Sequence, residues 1–156
     1  MSPLPHQTHD GASNFPLRHE LHVGVTNCTL ADFGALWHRL EISEQQIIGD
    51  PSYLLPALRE LRKGGLFIAI DDVGFGSSCL ESLVMLEPEV MKIDKRCVIG
   101  IAESAEQRRQ LSRYVAVANA LGAEVVAEGV ENPTELAVLR DLGVDYAQGF
   151  YWGMPA

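Results

Sequence analysis

Positive charge is scarce in this sequence, cysteine scarcer still, and long apolar runs are missing. Twelve Lys and Arg stand against 21 Asp and Glu, a formal net charge of −9 over 156 residues. Proteins that bind nucleic acid through its backbone show the opposite balance, which argues against that class of partner. No apolar run approaches the roughly 18 residues that a membrane-spanning helix requires. The opening stretch MSPLPHQTHDGASNF lacks the charged-then-apolar layout of a signal peptide. The three cysteines, Cys28, Cys79 and Cys97, are odd in number and show no paired spacing. They read as reduced thiols of a cytoplasmic protein. What is plentiful is apolar residue, at 47% of the chain, enough for one globular domain with a real core.

Residues 1–17 are rich in Pro, His, Ser, Asn and Gly and read as a flexible lead-in to a domain over 18–156. His6, His9, His19 and His22 have no helix or hairpin to fix them as a metal cluster. Leu21, Val23 and Val25 alternate as a strand would. Thr29 opens a helix with Leu30, Phe33, Leu36, Trp37 and Leu40 on one face, and Leu40–Ile42 forms a short strand. A second helix starts at Asp50-Pro51, with Pro56 expected to bend it, and a left-handed cap at Lys63-Gly64-Gly65 closes it. Leu66–Ile70 is too uniformly apolar for a half-exposed strand and predicts one buried on both faces. Ser78–Leu86 is helical with Leu80, Leu83 and Val84 inward, and Val90–Ile93 is a strand. Ser104 and Gln107 box the start of the longest helix, which stops at Gly122. Val125–Ala127, a helix capped by Asn132-Pro133 with Glu135, and a last strand over Val144–Phe150 complete the chain. Six strands alternating with helices predict an α/β fold with a parallel sheet.

The ends of these strands carry the chemistry. The second ends in Glu41 with Glu44 beyond, the third in Asp71-Asp72, and the fourth carries Lys92 and Asp94. The fifth ends in Glu128 with Glu131 beyond, and the sixth carries Gln148. In a (β/α) barrel such ends converge on one mouth. Two carboxylates about 4 Å apart repel by roughly 4 kcal/mol at an effective dielectric near 20. One lysine does not neutralise four acids, so either protons or a divalent cation must. Oxygen-only ligands favour Mg²⁺, Mn²⁺ or Ca²⁺, and a pair of such ions suits phosphodiester hydrolysis. Adjacent residues of a flat strand point to opposite faces. For Asp71 and Asp72 to share a site the chain must therefore leave the pleat, which Gly74 and Gly76 ease.

Glu41-Ile-Ser-Glu44, Asp71-Asp72-Val-Gly-Phe-Gly, Lys92-Ile-Asp94, Glu128-Gly-Val-Glu131 and Gln148-Gly-Phe resemble, in order and spacing, the EAL-domain family of cyclic di-GMP phosphodiesterases. The resemblance implies a modified TIM barrel that uses Mg²⁺ or Mn²⁺ to open the cyclic dinucleotide to pGpG. It makes Glu41, Asp71, Asp72 and Glu128 metal ligands, with Asp71 bridging two ions. Lys92 would hold the attacking water or the scissile phosphate, and Glu128 would be ligand or general base. Gln148 would orient water, Glu44 would anchor the loop after the double Asp, and Glu131 would lie near the guanine rim.

Three departures from the family pattern carry expectations of their own. No Glu-Ala-Leu tripeptide occurs in the chain, Gly24 stands where the next ligand-bearing strand has Asn, and Val73–Ser77 replaces the commoner Phe-Gly-Thr-Gly-Tyr. About six of the eight strands of a barrel are present, so the expected architecture is a partial barrel. It would be completed by an upstream sensory or barrel segment or by a second copy in a homodimer. These departures predict little or no turnover by this chain alone. The alternatives are an EAL module that binds cyclic di-GMP or a protein without catalysis, and an enolase-like Mg²⁺ barrel. The Glu-Gly-Val-Glu and Gln-Gly motifs speak against the second of these.

Overall fold

The computed structural model describes residues 15–16, 39–47, 49–74 and 80–153. Five of its strands run parallel: β2 (Arg39–Ser43), β3 (Phe67–Val73), β4 (Val90–Ile93), β5 (Glu124–Ala127) and β6 (Tyr146–Ala147). They lie side by side in chain order, and β1 (Phe15–Pro16) adds an antiparallel edge against β6. The helices α1 (Leu55–Lys63), α2 (Leu80–Leu86), α3 (Lys95–Val98), α4 (Ala105–Leu121) and α5 (Pro133–Asp141) fill the connections between the parallel strands. This is a partial α/β barrel sheet. Parallel pairing needs such crossovers, and the crossovers leave the sheet covered on its faces. Ile68, Ala69 and Ile70 of β3 are accordingly fully buried, with Met91, Ile93, Val125 and Ala127 beside them. Truncating any of these large side chains would cost about 2–5 kcal/mol.

Several local expectations change in the fold. Asp50 does cap a helical start, accepting from Ser52 N–H, but the first turn is a 3-10 turn over Pro51–Leu54. Pro56 then falls in the opening turn of α1, so it begins a helix instead of bending one. Val84 is 49% exposed, whereas Ser82, Leu83 and Leu86 form the inward face of α2. The last strand is far shorter than Val144–Phe150. Past Ala147 the partner of the chain is the turn after β5, because Val130 N–H bonds to Gln148 O (3.0 Å). A 3-10 turn over Phe150–Trp152 follows. The sixth strand is Phe15–Pro16, two residues of the stretch read as a lead-in. The predicted strand at Leu21–Val25, the helix from Thr29 apart from Leu40, the four histidines, Gly76, Cys28 and Cys79 lie outside the described residues. Cys97 is a free, buried thiol.

No helix among the described residues is long and apolar enough to cross a membrane. Because β2 to β6 are parallel, their C-terminal ends share one rim, and the polar residues at those ends face a common space.

Candidate metal-binding active site

The rim centres on Lys92, inside β4 and only 2% exposed. Its Nζ lies 2.8 Å from Glu128 Oε1, 3.3 Å from Asp71 Oδ1 and 3.7 Å from Glu41 Oε1. Residues from four consecutive strand ends thus meet at one ammonium group. The register explains it: Glu41 pairs with Ala69, Ser43 with Asp71, and Lys92 with Val126. A one-residue slip would turn each side chain to the other face. Gln148, at the end of β6, donates from Nε2 to Glu128 Oε1 (2.8 Å), so that oxygen is held from two sides. Gly149 lets this happen. A Cβ there would collide with the Val130 backbone, so only glycine brings the β6 end this close to the β5 turn.

Asp71 and Asp72 do leave the pleat, and they do so at Asp72 itself. Asp72 has φ 58°, a left-handed conformation rare for a residue with a Cβ, and the β3–β4 register shifts between Ile70 and Val73. Two hydrogen bonds hold this strained residue in place. Its N–H donates to Asp71 Oδ1 (2.9 Å), and its Oδ2 accepts from Ser43 Oγ (2.9 Å). Such strain is typical of sites where function dictates geometry. One carboxylate oxygen each from Asp71, Asp72 and Glu128 lies within 4.8 Å of the others. Glu41 joins this group through Lys92. Glu44 is almost fully buried and works on the backbone, taking Gly74 N–H on Oε2 (2.9 Å). Glu131 stands apart with an exposed side chain, its own N–H bonded to Glu135 Oε2 (3.0 Å).

Two residues escaped the sequence reading. Ser43 holds Asp72, and its only signal was its register opposite Asp71. Glu135 looked like a helix cap and nothing more, yet its carboxylate is buried at 3% exposure.

The electrostatics are unbalanced. Burial alone would lower the Lys92 pKa, but Glu128, by charge and by hydrogen bond, then Glu41 and Asp71, more than reverse it. Lys92 is therefore charged at neutral pH. Desolvation pushes the Glu128 carboxyl above its ordinary range; Lys92 pulls it down, while Asp71 and Asp72 push it further up. Among the described residues, one lysine faces Glu41, Asp71 and Glu128, with Asp72 beside them. The cluster's donors are all carboxylate oxygens within a few ångströms, the set that hard divalent cations take. Asp71, Asp72 and Glu128, with Glu41 adjoining, are the residues suited to hold one.

Known proteins resemble this arrangement along most of the chain. The family model of the EAL domain matches residues 27–155. The probable cyclic di-GMP phosphodiesterase PdeD of Escherichia coli is 31% identical over 157 aligned positions, covering 90% of this chain and 29% of PdeD. The solved PaMucR phosphodiesterase, in complex with c-di-GMP, superposes with a TM-score of 0.67 at 35% identity, covering 76% of this chain and 49% of that one. Two cyclic di-GMP complexes of Klebsiella pneumoniae BlrP1, one with manganese and one with calcium, give 0.68 at 34% identity, covering 72% of this chain and 29% of theirs. The chain thus spans half or less of the length of each of these proteins. By the extent of the family match and by its shared fold, the chain belongs to the EAL-domain family.

Proposed function

We propose that this chain supplies the carboxylate-rich side of a divalent-cation-dependent site that binds cyclic di-GMP and opens it to linear pGpG. The observation that carries the reading is the convergence of Glu41, Asp71 and Glu128 on the buried Lys92, within an EAL-family chain. Glu41, Asp71, Asp72 and Glu128 would hold Mg²⁺ or Mn²⁺, as one ion or a bridged pair. Such ions, when bound, neutralise phosphate charge and make water a nucleophile at neutral pH. The protein's own part follows from its geometry. Lys92 keeps its proton and presents a fixed cation to a phosphate oxygen. Gln148 holds Glu128 in one rotamer, so that Glu128 can serve as ligand or as base toward water. Ser43 holds the Asp72 carboxylate and Glu44 the Gly74 N–H, which together keep the end of β3 in the shape that turns both aspartates inward. The partners of this reading are cyclic di-GMP and either a second copy of the chain or an upstream segment against the sheet edges.

A second reading is binding without turnover, for which Gly24 speaks, standing where the family resemblance would have a ligating Asn. One experiment separates them. Purified chain is incubated with cyclic di-GMP and MnCl₂ or MgCl₂, product is followed by chromatography, and binding is followed by calorimetry, with Asp71→Asn alongside. Metal-dependent binding that Asp71→Asn abolishes, with slow appearance of pGpG, is the expected result. Binding without pGpG selects the silent module. Absence of metal-dependent binding overturns both.

A further inference from the structure

The outer face of α4 carries positive charge that nothing around it answers. Glu106, Arg109, Gln110, Arg113 and Tyr114 recur at three- and four-residue intervals on one stripe of the helix, while Leu111, Val115 and Ala118 make its buried stripe. With Leu80, at the start of α2, they line a cleft of about 420 Å³. Arg109 and Arg113 are exposed, and neither guanidinium has an ion-pair or hydrogen-bond partner among the described residues. Other arginines of the chain are spent: Arg62 on Glu89, Arg96 on Asp94, and Arg108 on the Ile101 and Ala102 carbonyls. Two like charges one turn apart repel. Glu106, the one acid of the cleft, pairs with neither among the described residues.

Tyr114 completes the cleft and ties it to the rest of the molecule. Its oxygen accepts from Gln110 Nε2 (3.4 Å), and its own O–H has no acceptor among the described residues. Burial holds the Tyr114 pKa above its ordinary value; the Gln110 bond works against this, and the charges of Glu44 and Cys97 add to it. The hydroxyl is therefore a proton donor at neutral pH. The other side of the ring meets the turn after β3. A Cβ on Gly74 would collide with Cys97 Sγ and come within 3.5 Å of Tyr114 Cε2. Gly74 is two residues beyond Asp72 and is held by Glu44 (2.9 Å), so Tyr114 stands between the cleft and the double aspartate.

We propose that the cleft between α4 and the start of α2 binds a small molecule bearing a phosphomonoester, held by Arg109, Arg113 and the Tyr114 hydroxyl, and that its occupancy is felt at the Gly74 turn. A phosphomonoester dianion matches two guanidinium forks in charge, and its three terminal oxygens accept from both forks and from an O–H. A carboxylate offers one charge and two oxygens. A polyanion such as a nucleic acid is repelled by the net charge of −9. The test titrates the full, metal-free chain with glycerol 2-phosphate by calorimetry and by ¹⁵N spectra, with glycerate and a single-stranded oligonucleotide in parallel. Arg59→Gln is the control, an exposed arginine of α1 that has no partner among the described residues and does not line the cleft. Exposed arginines tolerate such replacement, so the variants keep their fold, as an unchanged Tm would verify.

Arg109→Gln and Arg113→Gln are each expected to weaken glycerol 2-phosphate binding at least about fivefold, and Tyr114→Phe about threefold. Glu106→Gln should tighten it about twofold, because a repelling charge is gone. Arg59→Gln should change nothing, and raising NaCl from about 50 to about 300 mM should weaken binding severalfold. The Gly74 amide should shift along the same saturation curve. Absence of saturable binding overturns the site, and so does an equal loss in Arg59→Gln, which would mean unspecific attraction to any exposed arginine. Glycerate binding as tightly as glycerol 2-phosphate overturns the phosphate assignment, and tighter binding of the oligonucleotide overturns the small-molecule one. Saturable binding with an unmoved Gly74 amide overturns the link to the turn.

Discussion

The two ends of the sheet each hold a polar cluster, and the clusters are built on opposite principles. Before β4, Arg62 Nε pairs with Glu89 Oε1 (3.0 Å), and Arg62 Nη2 donates to Leu86 O (2.9 Å) and Glu87 O (2.6 Å). Glu89 Oε2 takes Ile68 N–H (2.6 Å). One cation meets one anion, and the remaining donors and acceptors go to backbone. At the C-terminal rim, one ammonium faces Glu41, Asp71 and Glu128, with Asp72 adjoining. The balanced cluster needs nothing more and ties α1 to the entry of β3 and β4. The unbalanced one, among the described residues, is left with excess negative charge that bound protons or an outside cation relieves. Charge balance, more than polarity, separates a strut from a site.

That contrast can be broken most directly at Lys92. Lys92→Met leaves three partly buried carboxylates without their cation, and metal-free chain should lose about 3 kcal/mol in urea unfolding. MnCl₂ should restore much of this loss, because the ion replaces the missing charge. Failure of Mn²⁺ to restore stability would mean that the rim is a structural ion-pair network like the other end.

A smaller effect is expected at Arg62. Arg62→Ala strands Glu89 and two carbonyls, and should cost about 1–3 kcal/mol. Divalent cations should change that loss by nothing measurable. A metal-dependent recovery there would erase the distinction between the two clusters.

The smallest effect concerns Cys97, which lies behind the rim and donates weakly to Gly74 O (3.7 Å). Burial, then the charges of Asp94 and Glu44, push its thiol pKa up against a smaller opposing effect of Arg96. Alkylation at pH 8, followed by peptide mapping, should be at least about tenfold slower than for a free thiol. It should speed up in Glu44→Gln, which loosens Gly74. Fast alkylation of Cys97 in the native chain would show that the turn after β3 is open, unlike the tightly bonded Arg62 end.

Much of the rim was legible before any coordinates. Lys92, Glu128 and Gln148 announced themselves as polar residues at the ends of apolar runs, and strands of like direction bring like ends together. The Arg62–Glu89 pair announced nothing, since both residues look like ordinary surface charges. Val84 misled because the buried face of α2 runs through Ser82, Leu83 and Leu86, which leaves Val84 beyond its edge. The short β6 misled because its apolar run continues past the point where its partner strand has already turned into the Gly129–Val130 loop.

Composition and periodicity alone decided that this chain builds alternating strands and helices, since each element's signal lies within a dozen neighbouring residues. They also decided which residues could carry chemistry, since an acid closing an apolar strand has few other reasons to be there. Only the folded chain decided who meets whom. Gln148 reaches Glu128 across 20 residues and Glu135 reaches Gly100 across 35. The left-handed turn at Asp72 likewise exists because Ser43 arrives from the next strand to hold it. Such meetings depend on strand register and on the docking of helices against the sheet, which are properties of the whole packed layer and not of any one segment.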